Sequence, residues 1–401
     1  MANLGIVGGR KFEIPSLNGI RALAILLVVW GHAELPYRLI RESTGVTIFF
    51  FLSGYLITTL LRREYDAMDR ISIKDFYLRR FFRIFPPLYL VLIVAVALSL
   101  AGAIANRMTA LGAVSTFTFW TNYYIIWAGR AGLPGGMNAL WSLAVEEHFY
   151  LIFPLLYVAL RRWVPRRWMQ AAILVALCTA IMVWRVYLLS QGAGYDRIYL
   201  ATDTRADAIL WGSVLAIAAN PAYGEVRTPR RRWLLTPILL GGVAVVYFVS
   251  RWPDTLGMTI GYTIQSIALA AVFVPLILMP RSVIGRLFNL RAVVWVGIAS
   301  YSIYLIHRPA LIIAETSISA PVVTTATIGI AATVLASWAI LVFVDRPFAR
   351  LRRRLNRAGE TENTGDPDNA DTENTGDPDS TGTANAGDTA NTGERHNDER
   401  A

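Results

Sequence analysis

LNGIRALAILLVVWGHAEL, residues 17–35, is an apolar run with Arg21 and His32 inside it and Glu34 at its end. About 20 such residues are what a helix needs to cross a bilayer. A charge in hydrocarbon is costly, so an intramembrane Arg and His mark a functional site by default. On a helix the pair lies roughly 16 Å apart along the axis, at about 1.5 Å per residue. Arg21 then sits near one membrane face and His32 well toward the other, which suits chemistry reached from both sides. No small-residue cleavage site follows the run, so it reads as a retained helix and not a signal peptide.

The rest of the chain agrees. Of its 401 residues 55% are apolar and 16% charged, against about 25% charged in ordinary globular domains. Apolar runs recur near residues 45–61, 84–104, 138–160, 169–190, 200–219, 234–250, 258–279, 292–313 and 322–344. The expected fold is an all-α integral membrane protein of about ten transmembrane helices. With the N-terminus in the cytoplasm, 26 Lys and Arg fall in inner segments and six in outer ones, among them Arg107 and Arg130. That is the positive-inside pattern, and it puts the C-terminus in the cytoplasm too. It also accounts for the basic pI, so nucleic acid is not an expected partner; the bilayer is. Met108–Gly129 is apolar and long enough to cross. A full crossing would turn the later basic loops outward, so the segment is expected to be re-entrant or buried on the outer side, tolerated if packed against protein.

Residues 1–357 carry 36 basic and 16 acidic residues, and residues 358–401 carry 2 and 12. That last stretch, with TENTGDPD at 361–368 and again at 372–379, cannot bury enough apolar surface to offset its ordering entropy. The expected organisation is a membrane-embedded domain over 12–350 and a disordered acidic cytoplasmic tail over 358–401. The single cysteine, Cys178, excludes an intramolecular disulfide and a cysteine-cluster metal site. Three scattered histidines outside the tail do not suggest a metal centre, and none is expected.

Chemistry is expected at three places. His32 can act as a base or nucleophile near neutral pH, unless it only ties helices together. WSLAVEEHFY, residues 141–150, puts Glu146, Glu147 and His148 inside an apolar helix. Adjacent glutamates point about 100° apart, so one can face a cavity while the other pairs with an arginine. Counted from the outer surface, Glu146 falls near the depth of His32, and a carboxylate there would orient and tune the imidazole. Arg80 and Arg83 share one helix face at the cytoplasmic mouth of the third span. They suit a phosphate-rich donor such as coenzyme A, or simply anchor to anionic lipid. Among weaker signals, Asp203, Arg205 and Asp207 could neutralise one another, Arg185 is placed to snorkel, His307 closes the ninth span near the level of His32, and Ser53-Gly54 reads as small-residue helix packing.

Taken in order, these segments resemble the membrane-bound acyltransferase family 3. They are Pro15–Ala24 with Arg21 and, ten residues on, Gly31-His32; FFLSGY at 50–55; Arg80-Phe81-Phe82-Arg83; WSLAVE at 141–146 with Phe149-Tyr150; TRADA at 204–208; SYSIYLIH at 300–307; and Asp345-Arg346-Pro347. The resemblance spans about residues 12–350. It implies an O-acyltransferase with an acyl-CoA co-substrate, most often acetyl-CoA, and no other cofactor. The acceptor would be a hydroxyl on a carbohydrate or glycoconjugate. His32 and Glu146 would be catalytic, and Arg21, Arg80 and Arg83 would bind the donor. His148 stands where Gln is more usual, which touches local acceptor contacts. Many relatives carry an added extracytoplasmic hydrolase-like domain; this chain resembles the standalone form. The rival readings are acylation of a secondary metabolite such as a macrolide sugar, and proton-coupled transport, which would predict repeated halves.

Overall fold

The computed structural model describes residues 6–7, 10–11, 14–35, 40–104, 107–226 and 228–351. The segment expected to be a disordered tail lies outside them. A two-residue ladder pairs β1 (Ile6–Val7) with β2 (Arg10–Lys11). Every described element after it is helical: α1 (Leu17–His32), α2 (Glu42–Met68), α3 (Ile73–Leu100), α4 (Ala110–Phe117), α5 (Thr121–Ala128), α6 (Trp141–Trp163), α7 (Arg167–Ser190), α8 (Tyr195–Leu200), α9 (Thr202–Ala218) and α10 (Leu235–Ser250). Then come α11 (Asp254–Leu256), running through a π turn into α12 (Tyr262–Leu278), α13 (Val283–Phe288), α14 (Arg291–Ser317) and α15 (Val322–Ile340).

Among the described residues eight helices are long and apolar enough to cross a membrane. The two remaining expected spans, α1 and α9, are helices of 16 and 17 residues, and α9 is buried along nearly its whole length. The 108–129 segment does not form one long helix. It breaks at Phe119, which has φ 58°, into α4 and α5 of 8 residues each, about 12 Å apiece and far short of a span. Its backbone is tied to protein: Thr109 N–H donates to Gly132 O at 2.9 Å, and Asn122 Nδ2 donates to Leu200 O at 3.2 Å.

Burial sorts the helices. In α2 83% of the most apolar window is buried, against 17% in α7, so α2 is the hub and α7 faces lipid. Ile93, Leu151, Val183 and Leu335 lie on exposed apolar faces, the surface that hydrocarbon covers. Close approach at the hub needs glycine. A Cβ on Gly54 of α2 would lie 1.8 Å from Ile209 O of α9, and one on Gly212 would lie 1.9 Å from Phe51 O. Between helices in lipid, such small residues let backbones pack tightly. A Cβ on Gly297 of α14 would likewise meet Asn18 O at 1.9 Å. There α1 and α14 run side by side in the same direction, Asn18 beside Gly297 and His32 beside His307.

Candidate active site

A cavity opens between α1, α2, α3, α6 and α14, with about 810 Å³ of empty space counting its mouth. Its polar walls include Arg21, Ser53, Arg80, Arg83, Glu146 and Tyr150. Glu146 accepts from Ser53 Oγ at 2.9 Å and Tyr150 O–H at 3.2 Å. Arg21 donates through Nε and Nη2 to Ser300 Oγ at 3.1 and 3.0 Å. The Arg80 guanidinium lies over the Tyr150 ring, 3.4 Å from its centroid, where a desolvated cation is attracted to the ring face. Neighbouring Arg79 is claimed instead by Glu64 at 2.7 Å. So three arginines and one carboxylate share a cavity within the bundle, an excess of positive charge that suits an anionic ligand.

His32 stands elsewhere. Its Nδ1 is 3.1 Å from His307 Nε2, and His307 Nδ1 is 2.7 Å from Tyr304 O. A carbonyl only accepts, so His307 Nδ1 carries the proton. In a neutral ring Nε2 is then an acceptor, and His32 must donate to it from Nδ1. That leaves the lone pair of a neutral His32 on Nε2, the tautomer a base or nucleophile needs. The expected His32–Glu146 pairing is therefore replaced. Register along α14 gives the reason. Ser142 meets the Tyr304 hydroxyl at 2.6 Å, and Glu146, one turn further along α6, falls about 6 Å deeper. There it is level with Ser300 and Arg21. His307 is seven residues beyond Ser300, about 10 Å the other way. Tyr304 joins the two places: it lines the cavity, and its ring centroid is 5.5 Å from that of His307.

Residues 14–342 match the model of an acyltransferase domain family. The chain belongs to that family. It is 30% identical over 354 residues to the peptidoglycan O-acetyltransferase OatA of Listeria monocytogenes, covering 85% of this chain and 56% of the relative. It is 32% identical over 316 residues to the putative peptidoglycan O-acetyltransferase YrhL of Bacillus subtilis, covering 75% and 49%. The O-acetyltransferase OatA of Staphylococcus aureus is 28% identical over 315 residues, covering 75% and 51%. The chain thus spans about half the length of the curated relatives it matches. No solved structure matches it significantly.

In this acyltransferase domain Arg21, Arg80, Arg83 and Glu146 converge on one cavity, while His32 and His307 form a second centre. The other candidates lie apart from both. Glu147 Oε1 is buried with no hydrogen-bond partner among the described residues, and Glu147 does not line the cavity. His148 Nδ1 sits 2.7 Å from Thr202 Oγ1. Arg205 is fully buried, 3.6 Å from the Tyr262 ring centroid, and donates to Thr47 Oγ1 at 3.1 Å. Two further expectations, both about buried charge, are corrected. Arg185 does not snorkel: it is fully buried, and its guanidinium meets Asp207 through two bonds of 2.7 and 2.8 Å. Asp203, Arg205 and Asp207 do not neutralise one another, because Arg197 holds Asp203 while Asp207 belongs to Arg185. Sequence reasoning missed Ser53, Ser300 and Tyr304. Ser53 read as packing; only its neighbour Gly54 packs. Ser300 and Tyr304 stood within SYSIYLIH, where a hydroxyl every turn or so on one helix face was the available signal.

Proposed function

We propose that this protein is a membrane O-acyltransferase that moves an acetyl group from acetyl-CoA to a hydroxyl of peptidoglycan or a similar envelope glycan. The observation that carries this is the division of α1, with a cavity of arginines at Arg21 and a tautomer-fixed histidine at His32. The names of the relatives supply the acetyl group and the glycan; the arginines favour a phosphorylated donor.

Arg80 and Arg83 bind the donor's phosphates as bidentate forks. The arm between phosphate and thioester runs along α1 past Tyr304, over a distance like the roughly 16 Å that eleven helical residues span. Glu146 balances the arginines and positions Arg21 and Arg80. At the far end the acceptor hydroxyl approaches His32. Nε2 takes its proton as the oxygen attacks the thioester carbonyl; the C–O bond forms, the C–S bond breaks, and the proton passes on to the departing thiolate of coenzyme A. A base placed this way contributes about 10²–10⁴-fold. The positive-inside pattern puts the donor in the cytoplasm and His32 toward the outer face, so the acyl group crosses while the donor stays.

The test uses the purified full chain in detergent with labelled acetyl-CoA and soluble glycan fragments, comparing wild type with His32→Ala after both show the same melting curve. Label should pass to glycan only with wild type. Equal transfer by the two proteins would remove His32 from the chemistry. Wild type that neither turns over acetyl-CoA nor labels glycan would sink the reading.

A further inference from the structure

A second groove adjoins the histidine pair through Arg308. Its walls include Arg107, Arg130, Asn138 and Arg308, with no acidic residue among them, and it holds about 920 Å³ counting open solvent. Arg308 ties it to His32, donating from Nη1 to His32 O at 3.2 Å. We infer that this groove is the acceptor subsite and is built for an anionic saccharide, with Arg308 and Arg107 holding its carboxylate while an adjacent hydroxyl reaches His32.

Three observations support the assignment. First, the groove lies at the end of the bundle where α1 finishes, beside the residue read above as the base. The inference rests on that reading for its purpose, though not for its test. Second, the charge is out of place. The pattern that fixes topology keeps arginine off this side of the membrane, yet two of the six expected there line one groove and Arg308 joins them. Asp196 holds Arg130 through bonds of 2.7 and 2.5 Å, so Arg130 is largely neutralised and the free field comes from the other two. Third, Arg308 Nε is buried with no hydrogen-bond partner among the described residues. A buried N–H without an acceptor is costly, and no carboxylate among the described residues pairs with Arg308, so its charge is left to the groove it lines. The wall beside His307 is also thin. Gly136 has φ +78°, and a Cβ there would meet Pro309 N at 2.6 Å, so the loop lies flat against α14 beside His307.

The test is equilibrium binding to the full chain in phosphatidylcholine nanodiscs. The probes are a tetrasaccharide of alternating N-acetylglucosamine and N-acetylmuramic acid, and the same sugar with its carboxyls reduced to alcohols. Wild type should bind the acid at least tenfold more tightly, about 1.4 kcal/mol. Arg308→Gln and Arg107→Gln should each shrink that ratio several-fold, and Arg308→Lys should restore part of it, as charge without the fork. Because the readout is a ratio of two affinities, a partly folded variant does not distort it. Equal affinities in wild type, or an undiminished ratio in both glutamine variants, would overturn the inference. So would loss of acid binding in phosphatidylglycerol nanodiscs at matched ionic strength, which would give the groove to lipid headgroups. If the acid is preferred but neither sugar is ever acetylated, the transferase reading fails and the subsite stands.

Discussion

Two arginines of this bundle, one buried and one half-buried, live in opposite surroundings. Arg185 on α7 is closed off: Asp207 takes two of its N–H groups, Thr263 Oγ1 accepts at 2.6 Å, and the carbonyls of Thr259 and Thr204 accept at 3.0 and 2.7 Å. Neither of the two cavities described above reaches it. Arg80 on α3 lines an open cavity, leans on an aromatic ring, and leaves its Nε without a partner among the described residues. From the sequence, Arg80 suits a phosphate donor or anionic lipid, and Arg185 is placed to snorkel. The difference is satisfaction. A cation whose donors are all used has no capacity left for a ligand and serves to join helices. One held beside empty space with donors to spare is kept for something that arrives.

The sharpest way to break this comparison is to treat the closed network as if it were functional. Asp207→Leu leaves Arg185 buried and uncompensated, and should cost about 3–5 kcal/mol. The expected result is a large fall in melting temperature and yield in detergent, with activity lost only as folded protein is lost. Replacing both partners, Arg185→Met with Asp207→Leu, should recover most of the stability, since an apolar pair of similar volume is often neutral. If Asp207→Leu melted like wild type yet failed to transfer acetyl, the network would be functional and the criterion wrong.

The open cavity should respond the other way round. Glu146→Gln keeps an acceptor for Ser53 and Tyr150 but removes the charge set among three arginines. The expected effect is a loss of about 10²-fold in kcat/KM, roughly 2.7 kcal/mol, with a melting curve close to wild type. A smaller effect, about tenfold, is expected at His307. His307→Phe fills the space but cannot accept from His32 Nδ1, so the tautomer is no longer fixed. His307→Gln offers an oxygen in nearly the same place and should retain most of the activity. If the two variants were equally active, or equally inactive at equal stability, His307 would be a packing residue and not a positioning one.

How much of this was legible in the sequence follows from what a helix pattern records. Hydropathy and charge gave the apolar runs, the ionisable residues within them, and a re-entrant or buried segment expected at 108–129, because lipid imposes length and polarity directly on the chain. Which helix neighbours which is not written that way. His32 and His307 are 275 positions apart, and nothing in either run names the other. Depth misled for a related reason. Glu146 was measured from the end of its own helix, whereas its true level is set by Ser142 against Tyr304 on α14. Arg185 misled because an arginine near the end of an apolar run looks able to reach water, and the carboxylate that captures it comes 22 residues later. Ser53 misled because serine beside glycine is a common packing pair, and only the position of Glu146 on another helix shows that its hydroxyl points into a cavity.

The mildest expected effect lies outside the membrane spans and marks the satisfied extreme of the comparison. Glu225, in the loop after α9, accepts from Arg62 at 2.8 and 3.2 Å, from Asn220 N–H at 3.0 Å, and from Arg167. Burial pushes its carboxyl up, but the Arg62 hydrogen bonds, the Asn220 N–H and the charges of Arg62 and Arg167 outweigh that and hold it below the usual carboxylate value. A carboxyl depressed in the folded state stabilises the fold above its unfolded pKa, near 4.3, and the contribution is lost as pH falls through the lower folded value. Melting temperature should therefore decline as pH drops below about 4.3, and Glu225→Gln should flatten that part of the curve while lowering stability at pH 7. Acetyl transfer at pH 7 should change little, since the ion pair joins a loop to α2 and borders neither the cavity nor the histidine pair. A variant that keeps its acid sensitivity would show that Arg62 and Arg167 find other partners, and that satisfaction read from hydrogen bonds overstates how firmly a surface-side network holds.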